Sequence, residues 1–77
     1  MSNEMQKMTL VSAEVGTEVV IKGIDTDDEE LNSFLFTLGC YIGESIVVVS
    51  HVGSSFVVAI KDGRYSIDEN LAEAILI

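Results

Sequence analysis

The sequence predicts an all-β domain with one inserted helix, a small antiparallel barrel of five strands. Three observations lead there. Short apolar stretches with period-two alternation recur through the 77 residues, separated by turns that carry glycine. Only one stretch has helical spacing, with Leu31, Phe34, Leu35 and Leu38 at i, i+3, i+4 and i+7. No strand–helix–strand alternation is present, so the strands have no source of parallel pairing and close on one another instead.

Residues Met1 to Met8 lack periodicity and read as a flexible N-terminal tail, leaving residues 9–77 as the domain. Leu10, Val11 and Val15 precede a turn at Gly16. Glu18 to Ile24 forms the first strand; Val19 and Ile21 share a face, but Ile24 has the wrong parity to join them. Gly23 is the natural site for a bulge or bend that restores the alternation.

The helix is predicted from about Asp27 to Leu38. Asp25, Asp27, Asp28, Glu29 and Glu30 crowd its start, where unpaired N–H groups and the positive dipole end favour negative charge. Thr26 with Glu29, or Asp27 with Glu30, has capping-box spacing. Gly39 follows the last apolar position and is expected to end the helix with positive φ. Cys40 to Gly43 then redirects the chain, so that Leu38, Gly39 and Gly43 form a structural corner.

Glu44 to Ser50 and Ser54 to Lys61 are the second and third strands, joined around Val52-Gly53. Asp62-Gly63 has the signature of a two-residue type I′ turn, which sets Lys61 opposite Arg64, Ile60 opposite Tyr65 and Val58 opposite Ile67. Phe56, Val58, Ile60, Tyr65 and Ile67 then share the core face. Asp68 caps a single turn through Ala72, and Ala74 to Ile77 is a closing strand. The predicted core is Val19, Ile21, Ile24, Leu31, Leu35, Leu38, Ile46, Val48, Val58, Ile60 and Ile67, and the helix is expected to pack across one opening of the barrel.

Charge and composition exclude several functions. Thirteen acidic side chains against Lys7, Lys22, Lys61 and Arg64 give a net charge of -9, which repels nucleic-acid phosphates and anionic membrane surfaces. The apolar fraction of 48% is too high for a disordered chain. The longest apolar run, Phe56 to Ile60, is far too short to span a bilayer. No apolar segment near the start resembles a secretory signal, and a lone cysteine fits a reducing compartment, so a cytoplasmic location is expected.

Candidate chemistry is sparse. The carboxylates of residues 25–30 could weakly hold a hard cation, but they do not follow a calcium-loop pattern: Glu30 stands where that pattern needs glycine and Phe36 where it needs glutamate. Cys40 and His51 are the only soft ligands, too few for a zinc site, and read as a core residue and a loop histidine. No nucleophile with its base, no phosphate-cradling loop and no dinucleotide fingerprint occurs. The expectation is a protein that is not an enzyme, with no catalytic residues, no cofactor and no tight metal site.

Two surface features point instead to protein contacts. Phe36 lies about 140° from the centre of the helix's apolar stripe and should face outward. If Ile46 and Val48 point inward, Val47 and Val49 point outward, and the hairpin register adds Val57 and Ala59. This patch would serve docking or a weak homo-oligomer, unless Met5, Met8 and Leu10 lie across it.

The order Gly16, Val19, Ile21, Ile24, an acidic-headed helix, Leu38-Gly39, Gly43, then Ile46 and Val48 resembles the FeoA family, the ferrous iron transport protein A domains. Ile60, Tyr65-Ser66-Ile67, Ala72 and Ile75 fall where that family has its last hairpin, helical turn and closing strand. The resemblance covers roughly residues 9–77 and implies an SH3-like barrel. Ile42 replaces a common proline before Gly43, Ser54-Ser55 lacks the usual Gly-x-Pro, and valines stand where outward strand positions are usually charged. The function implied is a non-enzymatic accessory of ferrous iron uptake, docking on the cytoplasmic G-protein part of a FeoB-type membrane transporter. A generic SH3-like interaction or regulatory domain, as in iron-dependent repressors, is the alternative. An Fe²⁺ carrier would rest on the carboxylate cluster alone.

Overall fold

A computed structural model of the chain describes residues 8–77, so the expected tail lies outside the described residues except for Met8, which is exposed. Six strands and two helices follow a 3-10 turn at Leu10–Ser12. Strand β1 is Glu18–Val20, β2 Gly23–Ile24, β3 Ser45–Val52, β4 Ser55–Ile60, β5 Gly63–Asp68 and β6 Ile75–Leu76. Helix α1 is Glu29–Leu38 and α2 is Glu69–Ala74. The strands form an antiparallel four-stranded sheet ordered β1-β3-β4-β5 and a two-stranded sheet of β2 and β6. The fold class is the one predicted, mostly strand with an inserted helix. The single closed five-stranded ring is corrected to two sheets.

The break comes from hydrogen bonding at Ile21–Lys22, one position before the expected bend at Gly23. Ile21 N–H donates to Glu44 O (2.9 Å), still along β3, whereas Lys22 N–H donates to Leu76 O (2.7 Å), the partner strand of the second sheet. Ile21 is fully buried at this joint. Gly23 needs neither positive φ nor close approach, since an added Cβ would make only ordinary contact with Leu76 (3.7 Å). The extended chain therefore changes partners without a bulge.

The last hairpin differs from its predicted register by two residues. Its loop is Lys61-Asp62, and Ile60 opposes Gly63, Val58 opposes Tyr65 and Phe56 opposes Ile67. Positive φ falls on Lys61 (54°), not on Gly63. Gly63 is instead needed beneath an aromatic ring, because a Cβ there would stand 2.7 Å from Tyr65 Cζ. A two-residue shift preserves strand parity, so Phe56, Val58, Ile60 and Ile67 still reach the core and Tyr65 is half-buried beside it.

Fully buried side chains are Leu10, Ile21, Leu35, Cys40, Ile46, Val48, Phe56, Val58, Ala72 and Ile75, with Ile60, Ile67 and Ala74 nearly so. Val19, Ile24, Leu31 and Leu38, predicted as core, are half-buried against it. Leu10, Ala74 and Ile75 join the core because the N- and C-terminal segments meet: Thr9 bridges Leu76, and Ile77 N–H donates to Met8 O. Asp68 caps α2 as expected, its carboxylate accepting from Leu71 N–H (3.0 Å), although α2 runs to Ala74 and the closing strand shortens to Ile75–Leu76.

Helix α1 is capped by neither predicted box. Asp28 Oδ1 accepts from Glu30 N–H (3.0 Å) and Leu31 N–H (3.3 Å), while Thr26 Oγ1 accepts from Asp28 N–H (3.1 Å). The helix starts two residues later than predicted as a result. Only Leu35 on α1 is fully buried. With burial deepest at Leu35, the residues on either side of it lie about 100° away, which explains why both Phe34 (46% exposed) and Phe36 (43%) sit at the border of the buried stripe. Phe34 is thus a rim residue, not part of the core stripe.

The C-terminal end of α1 closes as predicted, with Gly39 left-handed at φ 98°. Gly39 N–H donates to Phe36 O (2.9 Å) and Cys40 N–H to Leu35 O (3.0 Å), the paired bonds of a Schellman motif. Glu44 N–H then bonds Tyr41 O (3.0 Å) around Ile42-Gly43, with Gly43 at φ 94° in the manner of a type II turn. Burial without a charged neighbour pushes the Cys40 thiol up to about 11.

Replacing Leu35 by alanine is expected to cost about 2–5 kcal/mol, read as a large fall in Tm; an unchanged Tm would show that α1 is not anchored there. Gly39→Val should destabilise by at least about 1–2 kcal/mol, since its Cβ would need positive φ and would press on Ile60, whereas Gly39→Asn should cost clearly less in the same thermal melt. The raised Cys40 pKa makes stability fully present below the thiol's ordinary value of 9.0 and lost as pH rises toward about 11. Urea midpoints measured from pH 8 to 11 should therefore fall more steeply for the parent than for Cys40→Ala.

Candidate functional site

The Schellman closure and the turn after it fix the shape of the surface between α1 and β2. Cys40, drawn inward, leaves Tyr41 and Ile42 on the outside, and Ile42, at the tip of its turn, is 77% exposed. Ile24, Asn32, Phe36, Cys40, Tyr41 and Ile42 together line a groove of about 310 Å³. Its walls are apolar apart from the Asn32 amide, and the protonated Cys40 thiol contributes as a small hydrophobe. The Phe36 and Tyr41 rings stack, with centroids 5.6 Å apart and planes at 28°. Tyr41 also carries Lys61 Nζ at 5.5 Å from its ring centre, and the same ammonium lies 3.7 Å from a Glu44 carboxylate oxygen. The left-handed backbone at Lys61 thus coincides with a side chain that holds the groove's aromatic wall.

A second hollow lies beside Tyr41, lined by Thr37, Leu38, Gly39, Ile60, Lys61, Asp62, Gly63 and Tyr65. It is polar and open, and Tyr41 separates it from the groove. Among the described residues no group of three or more His, Cys, Asp or Glu side chains is placed to hold a metal ion. No helix among them is long and apolar enough to cross a membrane.

Of the residues singled out by sequence, Phe36 lines the groove, Leu38 and Gly39 line the second hollow, and Gly43 closes the turn that exposes Ile42. Val47, Val49, Val57 and Ala59 form a separate surface on the two central strands, all half-buried. Val47 faces Ala59 directly, but the ladder slips between Val48 and Ser50, so Val49 is left as a bulge residue and Val57 pairs with Ser50. The proposed cover of this face by Leu10 is overturned, because Leu10 is fully buried in the core beside α2; Met8 is exposed, and Met5 lies outside the described residues. His51 is not a loop residue: it lies in the turn-proximal end of β3, paired with Phe56, its ring stacks 3.8 Å from that of Phe56, and its Nε2 donates to Gly53 O (2.9 Å).

Sequence reasoning missed Ile24, Tyr41 and Ile42 as partners of Phe36. The signal was present in Tyr41-Ile-Gly-Glu44, since an apolar residue one place before a positive-φ glycine sits at the outer corner of a turn.

No match was found among curated protein sequences. Among solved structures, a zinc-complexed FeoA from Stenotrophomonas maltophilia, described as an SH3 domain protein proposed to act in ferrous iron transport activation, superposes with a TM-score of 0.82. It is 20% identical over 91% of this chain and 89% of that one. A FeoA-like protein from Clostridium acetobutylicum gives a TM-score of 0.80 at 20% identity, covering 94% and 86%. A manganese-dependent transcriptional repressor also reaches 0.82 at 17% identity, covering 90% of this chain but only 39% of the repressor. At these identities the likenesses establish the SH3-like fold. The sequence profile of the FeoA domain matches residues 8–77, and the chain belongs to the FeoA domain family.

Proposed function

We propose that this domain is a non-enzymatic accessory of ferrous iron uptake that docks on the cytoplasmic G-protein part of a FeoB-type transporter and tunes its assembly or activity. The observation that carries this reading is the exposed apolar groove at Phe36, Tyr41 and Ile42 on a FeoA domain of net charge -9. Apolar side chains left in water beside a dense acidic surface suit a partner with an apolar knob and a basic rim. The groove is built on a closed turn and a stacked aromatic pair, so little ordering is required on binding. The valine face at Val47, Val49, Val57 and Ala59 is the other candidate contact. It is the less exposed of the two, as expected for side chains flanked by strands on both sides.

A regulatory domain acting on another partner is the second reading, supported by the fold shared with the manganese-dependent repressor. Calorimetry against the purified G-protein domain of the cognate transporter separates the two. The parent should bind, and Ile42→Asp combined with Phe36→Ser should weaken binding at least tenfold, about 1.4 kcal/mol, without lowering Tm. Val47→Lys with Val57→Lys should bind like the parent if the groove alone docks. Retained affinity in the groove variant moves the contact to the valine face or elsewhere. Absence of binding by the parent favours the second reading.

A further inference from the structure

Strand β5 ends the four-stranded sheet, and its register shows which of its backbone groups face outward. Ile60 and Gly63 close a two-residue loop, so they form a hydrogen-bonded pair, as do Val58 with Tyr65 and Phe56 with Ile67. Arg64, Ser66 and Asp68 alternate with these and turn their backbone groups to the open edge. Among the described residues none of the backbone bonds outside the sheet ladders involves residues 64–67. All three side chains are exposed. Arg64 makes no ion pair among the described residues, in a protein with 13 acidic side chains.

The spacing of these residues is self-complementary. If two β5 edges meet antiparallel about Ser66, Arg64 of each copy lies opposite Asp68 of the other. Both are then outward-bonding positions, so the charge register and the hydrogen-bond register coincide. Asp68 uses Oδ1 for the α2 cap, which leaves Oδ2 toward the guanidinium. About four backbone hydrogen bonds form around the two-fold axis, and the outer face of the joined sheet carries Ala59 and Val57 of both copies beside Arg64 and Ser66. We infer that the β5 edge is a pairing surface for a second copy of this chain, giving a two-fold dimer with one continuous eight-stranded sheet. An edge guarded by charge against pairing would carry like charges at positions 64 and 68; here they are opposite.

Sedimentation equilibrium at near-physiological salt, which screens repulsion between two acidic bodies, tests this. The parent should form dimers at high micromolar concentration. Arg64→Glu and Asp68→Lys should each be monomeric alone, because each creates two like-charge pairs, and should form a heterodimer when mixed, because both pairs become opposite. Ser66→Pro, which removes only the outward N–H, should keep the parent's circular dichroism and Tm and be monomeric. A monomeric parent, a dimer indifferent to Arg64→Glu and Ser66→Pro, or folded charge variants that stay monomeric when mixed would each overturn the inference.

Discussion

The closure of α1 by Gly39 and Cys40 is the constraint on which the other elements depend. The bond from Cys40 N–H to Leu35 O places two fully buried side chains, Leu35 and Cys40, on the core side of one tight bend. Leu35 is the one fully buried residue of the helix, with Leu31 and Leu38 half-buried beside it, and Cys40 is the first residue beyond it to enter the core fully. Every later direction follows: Tyr41 and Ile42 are turned outward, Gly43 N–H bonds Ile21 O at the joint between sheets, and β3 starts two residues on, at Ser45. A residue that could not adopt positive φ at position 39 would strain the helix stop and the launch of the longest strand together.

The joint at Ile21 shows how a small domain holds two sheets with one core. The backbone there bonds β3 on one side and β6 on the next residue, so neither sheet has to curl fully to meet the other. The cost is an open edge on each terminal strand of the larger sheet. An open edge is tolerable where it is short and charged, as on the three-residue β1 with its exposed Glu18, whereas β5 carries the opposite charges Arg64 and Asp68 along its longer edge.

The groove is a by-product of the same geometry. A helix held along the narrow line of Leu31, Leu35 and Leu38 leaves its flanks half-exposed, and Phe36 on one flank meets the residues that the corner pushes outward. The floor is Cys40 and the far wall is Ile24 of the second sheet, so the groove joins that sheet, the helix and the corner after it. Lys61 braces it from the hairpin at the expense of a strained backbone, and nowhere else among the described residues does a non-glycine residue have positive φ. Positive φ at one residue of a two-residue hairpin loop is what the reversal of β4 into β5 requires.

Much of this was legible in the chain. Alternation located β3 and β4, the spacing around Leu35 located α1, Asp68 marked the start of α2, and Leu38-Gly39 marked the helix stop, because each of these depends on local backbone preference or on side-chain period. Tertiary structure decided the rest. The hairpin loop fell at Lys61-Asp62, with Gly63 already in β5 and leaving room for the ring of Tyr65 two residues on along the same face. The first strand split because Leu76, more than fifty residues away, offered an acceptor that Lys22 could reach. Leu10 became core for the same reason: local pattern fixes what a segment can form, but burial depends on which distant segment arrives to cover it.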